Sequence, residues 1–297
     1  MPVLSKGSLF APELVTDLIN KVQGRSSLAV LAGQTPIPFN GQKEFVFTMD
    51  SEIDVVAENG AKSHGGITVT PRTIVPIKVE YGARVSNEFM IAAEEEQIAI
   101  LKAFNDGFAR KVARGLDLMA MHGINPRTGL ASVVIGENHF DAAVTQTVEY
   151  VAASIDDNIG TAIATVQGAG GDVSGLALSP TASAALAALK VNGVRVYPEL
   201  AWGAAPASLN GVKVDINKTV SDADAIAKDR AIVGDFANSF RWGYAKEIPT
   251  KIIEAGDPDN SGKDLNGYNQ VYIRAELFLG WAVLEASSFA RIIDAVV

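Results

Sequence analysis

The chain contains no cysteine in 297 residues. That absence excludes disulfides, thiolate metal sites and a cysteine nucleophile, and it suits assembly in a reducing compartment. Histidine is nearly as scarce, with only His64, His122 and His139. None of them falls in an HxH, HxxxH or HExxH spacing, so ordinary surface or turn roles are expected in place of a helix-borne zinc site. No GxSxG nucleophile elbow is present either. Positive charge is in deficit: 25 Lys and Arg stand against 34 Asp and Glu, a formal charge of −9. A dedicated nucleic-acid binder would show a basic patch or stripe, so that class is disfavoured. Long hydrophobic runs are missing too, and every apolar stretch falls far short of the roughly 20 residues that span a bilayer. The opening MPVLSKGSLFAPELV lacks a charged n-region followed by a sustained apolar run, so neither a targeting segment nor a membrane partner is expected.

What is present is an ordinary globular composition, 48% hydrophobic and 20% charged, which excludes general disorder. The length allows a large core, organised as two subdomains. The most ordered pattern runs from Ser86 to Gly123. Leu101, Phe104, Phe108, Val112 and Met119 recur at three- and four-residue steps and share one face, with a near-miss at Gly115. Lys102, Asp106, Arg110 and Lys111 lie on the other side. The spacing predicts one helix from about Glu94 to His122, with Ser86 or Asn87 capping an earlier turn and His122-Gly123 as the stop. Such a rod is about 40–45 Å long. Gly107 and Gly115 each cost about 1 kcal/mol relative to Ala, so packing must hold it straight.

Around this spine the chain divides as follows. Residues 1–36 form an arm, with a helix from Pro12 to about Val22 and extended chain over 25–36 anchored by Leu28, Val30 and Leu31. From Phe45 to Val85, runs such as EFVFT, IDVVA, ITVTP and IVPIKVEYGARV predict a long two-stranded excursion with its tip near His64-Gly65-Gly66. Pro71 and Pro76 cannot donate to a ladder, so its strands should be edge-like, and a hairpin of this kind is marginal unless another surface covers it. After the NPRTGLAS loop, residues 133–150 are expected to be extended. SIDDNIGTAIATVQ (154–167) predicts a helix, GLALS (175–179) a strand, PTASAALAALK (180–190) a helix opened by proline, and GVKVDI (211–216) a strand. RAIVGDF (230–236) and RWGYAKEI (241–248) are expected to pair across a turn at Ala237-Asn238. Long strands joined by DPDNSGKDLNGYN close the chain. The fold class is mixed α+β.

Candidate chemistry is thin. GAGGD (168–172) could offer backbone amides to a phosphate but lacks the P-loop lysine, so a plain loop is favoured. In DPDNSG, Asp257, Asp259, Ser261 and Gly262 match the first half of a calcium loop, yet Tyr268 stands where the bidentate glutamate is needed. A strand-joining turn is the favoured reading. Glu94, Glu95 and Glu96 suit a helix start, and Trp202, Trp242 and Trp281 suit core or interface anchors. No catalytic, cofactor-binding or metal residues are expected, and contact area is the expected function.

The order of these pieces resembles the tailed-phage major capsid proteins of the Hong Kong 97-type fold. VVAENGAK (55–62) is similar to that family's extended loop, VSNEFM (85–90) to the lead into its spine, and GINPRTGL (123–130) to the loop after it. GLALSPTASAALAALK (175–190), LNGVKVDI (209–216) and RAELFLGWAVLEASSFARI (274–292) also fit. The resemblance implies an N-terminal arm (1–36), an extended hairpin loop (37–86), a peripheral domain with the spine (87–150 and 249–297) and an axial domain (151–248). It implies a non-enzymatic subunit, without cofactors, of an icosahedral head. Other copies of the chain, in pentamers and hexamers, would be its main partners. The shell would enclose double-stranded DNA without sequence-specific binding, and a portal would join it. Because the arm follows Met1 almost at once, a separate scaffolding protein or none is expected. The resemblance places the protein in the virion, assembled in the host cytoplasm. Pro71 stands where some members carry a cross-linking lysine and Lys78 is out of register, so no isopeptide cross-link is expected. The alternatives are an encapsulin-like compartment shell and, more distantly, an unrecognised hydrolase or ligand-binding protein.

Overall fold

The computed structural model describes residues 26–90, 94–221 and 229–295. The helix expected from Pro12 to Val22 lies outside the described residues. The first described element is not extended chain but a short helix, α1 (Ser27–Leu31). Its start is capped twice, by the Ser26 hydroxyl accepting from Ala29 N–H and by the Asp117 carboxylate accepting from the amides of Ser27 and Leu28. That long-range acceptor is what local sequence could not supply. Leu28 and Leu31 are buried as expected.

Two long strands follow, β1 (Gln42–Met49) and β2 (Ile67–Ile74), paired only with each other as an antiparallel ribbon. Residues 50–66 form its tip and contain no strand, so IDVVA (53–57) is not the strand its pattern predicts. Proline decides where the ribbon ends. Pro76 separates β2 from β3 (Ile77–Ser86), which leaves the ribbon and enters another sheet. The spine is α2 (Glu94–His122), with the predicted limits. Leu101, Phe108, Val112 and Met119 are buried on its inner face, and Lys102, Arg110 and Lys111 are exposed. Gly123 stops it at φ +66, its N–H returning to the Met119 carbonyl.

Residues 133–150 are not extended throughout. They hold a turn, α3 (Phe140–Ala143) and then β4 (Thr147–Glu149), because Phe140 is drawn wholly into the core. The elements α4 (Ile155–Gly168), β5 (Gly175–Leu178) and α5 (Pro180–Ala188) fall where predicted. They are followed by the small hairpin β6 (Lys190–Val191) and β7 (Val194–Arg195), then by β8 (Ser208–Leu209) and β9 (Val212–Ile216). The last strands are β10 (Asp229–Gly234), β11 (Phe240–Ile253), β12 (Gln270–Val283) and β13 (Phe289–Ile293).

Two larger sheets organise these strands. One has six strands in the order β4-β13-β10-β5-β9-β8, and the other three in the order β11-β12-β3. The expected pairing of 230–236 with 241–248 does not occur: β10 lies between β13 and β5, whereas β11 pairs with β12. The chain crosses between the sheets at Asp235–Ser239, where the Asp235 carboxylate accepts from Asn238 and the Phe236 and Phe240 rings are pulled into the space between. Sheet membership also cuts across the expected axial span of 151–248. Residues 240–248 belong to the three-stranded sheet, and Thr147–Glu149 and Phe289–Ile293 to the six-stranded one.

The central strands β13, β10 and β5 are buried on both faces, which explains their unbroken apolar runs. Leu176, Leu178, Ala231, Val233, Ala290 and Ile292 face one core with α4 and α5. Their neighbours Ala177, Ile232 and Phe289 face a second core with the spine and β12. Phe140 sits in that second core with its ring 5.0 Å from Phe289, 5.4 Å from Phe240 and 6.0 Å from Phe236.

Candidate assembly surfaces and a buried polar junction

The ribbon is amphipathic, and its apolar side is bare. Directly opposed residues share a face, and the register pairs Phe45 with Pro71, Phe47 with Val69 and Met49 with Ile67. Glu44 with Arg72 and Val46 with Thr70 occupy the other face. All six residues of the apolar set are exposed, Phe47 by 68% and Met49 by 75%. The tip adds Ile53 and Val55, both almost fully exposed, and His64. An exposed apolar stripe of this length marks a contact surface.

A second surface lies beyond α5. Trp242 and Trp281 are wholly buried, as core anchors should be, but Trp202 is fully exposed and adopts φ +62. It rims a hollow of about 460 Å³ lined by Pro180, Ala184, Ala187, Leu200 and Ile216, with Lys190 and Arg195 as its charged members. Val191 and Val194 stand exposed on the adjoining hairpin. The hollow carries no acid, base and nucleophile set that could do chemistry.

The calcium-like loop already holds a cation, and it is a side chain. The Arg84 guanidinium donates to Asp257 (2.7 Å), to both oxygens of Asp259 (2.6 and 2.9 Å), to the Ser261 hydroxyl (2.6 Å) and to the Lys263 carbonyl (2.8 Å). These hydrogen bonds hold the Asp259 carboxyl well below the usual carboxylate range. The loop is therefore a turn closed on β3. GAGGD is likewise committed: the amides of Ala169, Gly170 and Gly171 donate to the last carbonyls of α4, at the helix end that repels phosphate. Glu94–Glu96 open the spine, as expected of a helix start. Lys78 is ion-paired with Glu276 at 2.9 Å.

Two buried polar groups on the spine escaped the sequence reading. Asp117 is fully buried and accepts from Ser26 Oγ, from the Ser27 and Leu28 amides (2.9 and 3.2 Å) and from Thr219 Oγ1 (2.6 Å). Burial pushes its carboxyl up while these donors pull it down. Its one signal was a lone acid among apolar neighbours in GLDLMAM. His122 is not on the surface as expected; it is buried at the spine's end. Its Nδ1 lies 2.9 Å from Asp141 Oδ2 and its Nε2 lies 2.9 Å from the Thr219 carbonyl. Asp229, also fully buried, accepts from Arg291 Nε at 3.0 Å, and Arg291 Nη2 lies 2.9 Å from Asp229 and 2.8 Å from Asp141. His122, Asp141 and Asp229 come close enough to hold a metal ion, their ligand atoms all within 4.8 Å of one another. The Arg291 guanidinium takes that place between the two carboxylates, so the donor set does not fit a metal.

Comparison with known proteins agrees with a contact-area protein. The phage capsid family matches residues 6–293. A solved chain from Mycobacterium phage Ogopogo is 31% identical with a TM-score of 0.77, covering 91% of this chain and 92% of that one. One from Gordonia phage Cozz is 26% identical with a TM-score of 0.76, covering 92% of this chain and 87% of that one. The capsid of a native GTA particle shares the fold, with a TM-score of 0.65 at 16% identity, over 100% of this chain and 95% of that one. No curated protein matches the chain.

Proposed function

The chain belongs to the phage capsid family, and from that premise we propose how its copies meet in the shell. It is a structural subunit of a virion, not an enzyme, and it works as a multimer of capsid subunits. The encapsulin-like alternative is not favoured by a family match and relatives of this kind. The bare stripe of Phe45, Phe47, Met49, Ile67, Val69 and Pro71 carries the reading: it lies across an adjacent copy, which covers it. Burial there contributes about 25 cal/mol per Å² of apolar area, enough to offset the cost of an isolated ribbon.

In this arrangement the unit built on α4, α5 and the six-stranded sheet clusters around five-fold and six-fold positions. The three-stranded sheet and the spine meet neighbours near three-fold positions through the 257–269 loop. Double-stranded DNA is enclosed without sequence-specific contacts, in keeping with a formal charge of −9. A portal joins the head, a separate scaffolding protein or none assists its assembly, and assembly takes place in the host cytoplasm. No isopeptide cross-link forms: Pro71 has no amine, and Lys78 is engaged by Glu276. A covalent ladder on a denaturing gel of mature particles would contradict that last statement.

The experiment is electron microscopy and gel filtration of the purified chain beside a Phe45→Ser, Phe47→Ser, Met49→Ser variant. Shells or capsomers from the native chain, and a folded subunit that closes no shells from the variant, are expected. Normal shells from the variant would sink the ribbon's role.

A further inference from the structure

The spine and the six-stranded sheet meet through charge as well as through rings. His122 ends α2, Asp141 sits on α3, Asp229 begins β10, Arg291 is on β13 and the Thr219 carbonyl comes from the turn after β9. These five groups come from five separate segments, and Arg291 ties the set further by donating from Nη1 to the Asp141 carbonyl at 3.0 Å. We propose that this cluster is a proton-held latch between the spine helix and the six-stranded sheet, tightest in mild acid and loosened progressively as pH rises through neutral into alkali.

The geometry assigns the protons. A carbonyl only accepts, so the His122 nitrogen 2.9 Å from Thr219 carries a hydrogen; an ionised carboxylate only accepts, so the nitrogen 2.9 Å from Asp141 carries one too. Both ring nitrogens thus face acceptors, which is the pattern of an imidazolium. Asp141 and Asp229 share the Arg291 guanidinium, which donates from Nε to both Asp229 oxygens (3.0 and 3.2 Å), and oxygens of the two carboxyls lie within 4.8 Å of each other; with Asp229 wholly buried, that proximity of like charge favours a proton on it. The remaining neighbours among the described residues do not substitute for these partners. His139 is half-buried and pushed down by burial, so it stays neutral; Asp117 contacts Thr219 through the hydroxyl, not the carbonyl; Lys218 is exposed.

The direction of the pH effect follows. Burial opposes charge on His122, but the hydrogen bond and charge of Asp141, with Asp229 and the Thr219 carbonyl, outweigh it and raise the imidazole above its usual value. Burial, reinforced by Asp141, pushes Asp229 up to about 8. Both groups bind protons more tightly in the fold than in the unfolded chain. Their contribution is therefore full in acid and is lost as pH rises, for Asp229 from its ordinary range up to about 8 and for His122 beyond its ordinary value. Asp141 is held low by His122 and Arg291, so its contribution is present in this window and is lost only in stronger acid. The net prediction is a junction that weakens between pH 6 and pH 9.

Asp229→Asn tests this directly, because the amide copies the shape and donor capacity of the protonated carboxyl. The native full-length chain should lose about 5 °C or more in melting temperature between pH 6 and pH 9, and the variant less than half of that. An equal fall in both, or no fall in the native chain, overturns the latch. If Asp229→Asn does not fold, the His122 imidazole resonance in the native chain decides. A midpoint above the ordinary histidine value supports the latch, and one below it refutes the imidazolium on which the latch depends.

Discussion

The β1–β2 ribbon and the β11-β12-β3 sheet are made from the same kind of sequence and meet opposite fates. On β12, Val271, Ile273, Ala275, Leu277, Leu279 and Trp281 alternate onto one face, and every one is buried. On the ribbon, Phe45, Phe47 and Met49 alternate in the same way, opposite Pro71, Val69 and Ile67, and every one is exposed. Strand geometry is common to both. The difference is the spine, whose buried side chains pack on β12 and, among the described residues, share no core cluster with the ribbon's apolar stripe. Alternation in a sequence reports that a face must be covered; it does not report whether the cover is in the same molecule.

The largest expected effect breaks the covered side. Trp281→Ala removes a wholly buried indole whose N–H donates to the Asn138 carbonyl at 2.8 Å. It should cost about 3–5 kcal/mol, so that soluble chain is scarce and melts far below the native temperature. Phe47→Ala, the same kind of truncation on the ribbon, should leave the unfolding free energy of the unassembled subunit within about 0.5 kcal/mol of native. A large loss from Phe47→Ala would show that the ribbon is covered within its own chain.

The next two predictions act on the cover. Asp117→Asn puts an amide donor among hydroxyl and backbone donors that need an acceptor, in a site without water access. It should cost about 1–3 kcal/mol, read as a drop in the urea midpoint. Gly123→Ala comes after it. The position holds φ +66, and an added Cβ would lie 2.5 Å from the His139 ring, so the helix end must shift at a cost of about 1–2 kcal/mol. If loosening the spine makes the β12 amides exchange faster while those of the ribbon do not change, the spine is what separates the two regions.

Much of this architecture was legible because its signals are local. The spine's limits followed from a seam at helical spacing and a glycine stop, and α5 followed from a strand, a serine cap and a proline at the first turn. What was not legible depends on partners far away in sequence. Residues 27–31 coil because Asp117 caps them from 90 residues away. RAIVGDF does not pair with RWGYAKEI because its two faces belong to two different cores. His122 looked like a helix-end surface residue, since nothing near it announces Asp141, Asp229 or Arg291. Trp202 was grouped with Trp242 and Trp281 by type alone, and only the fold separates the exposed ring from the buried pair.

The smallest effect concerns the loop after β11, where a charged side chain does what an apolar cover does elsewhere. Arg84 reaches from β3, the edge of the three-stranded sheet, and gathers Asp257, Asp259, Ser261 and the Lys263 carbonyl around its guanidinium. Asp257 in turn accepts from the amides of Ser261 (3.0 Å) and Gly262 (2.7 Å), so the turn's backbone depends on the same cluster. The network lies at the surface, with Arg84 15% and both aspartates 29% accessible, and Arg84→Ala should change the melting temperature of the whole chain little. It should instead raise amide exchange at Ser261 and Gly262 selectively. Because Asp259 is held far below the usual carboxylate range, chiefly by its hydrogen bonds to Arg84, its contribution persists as pH falls through its ordinary value. Protection of those two amides should therefore survive at pH 4 in the native chain. Exchange at Ser261 and Gly262 that is equal in native and Arg84→Ala chains would mean that the loop's own aspartates hold the turn, and that β3 does not tether it.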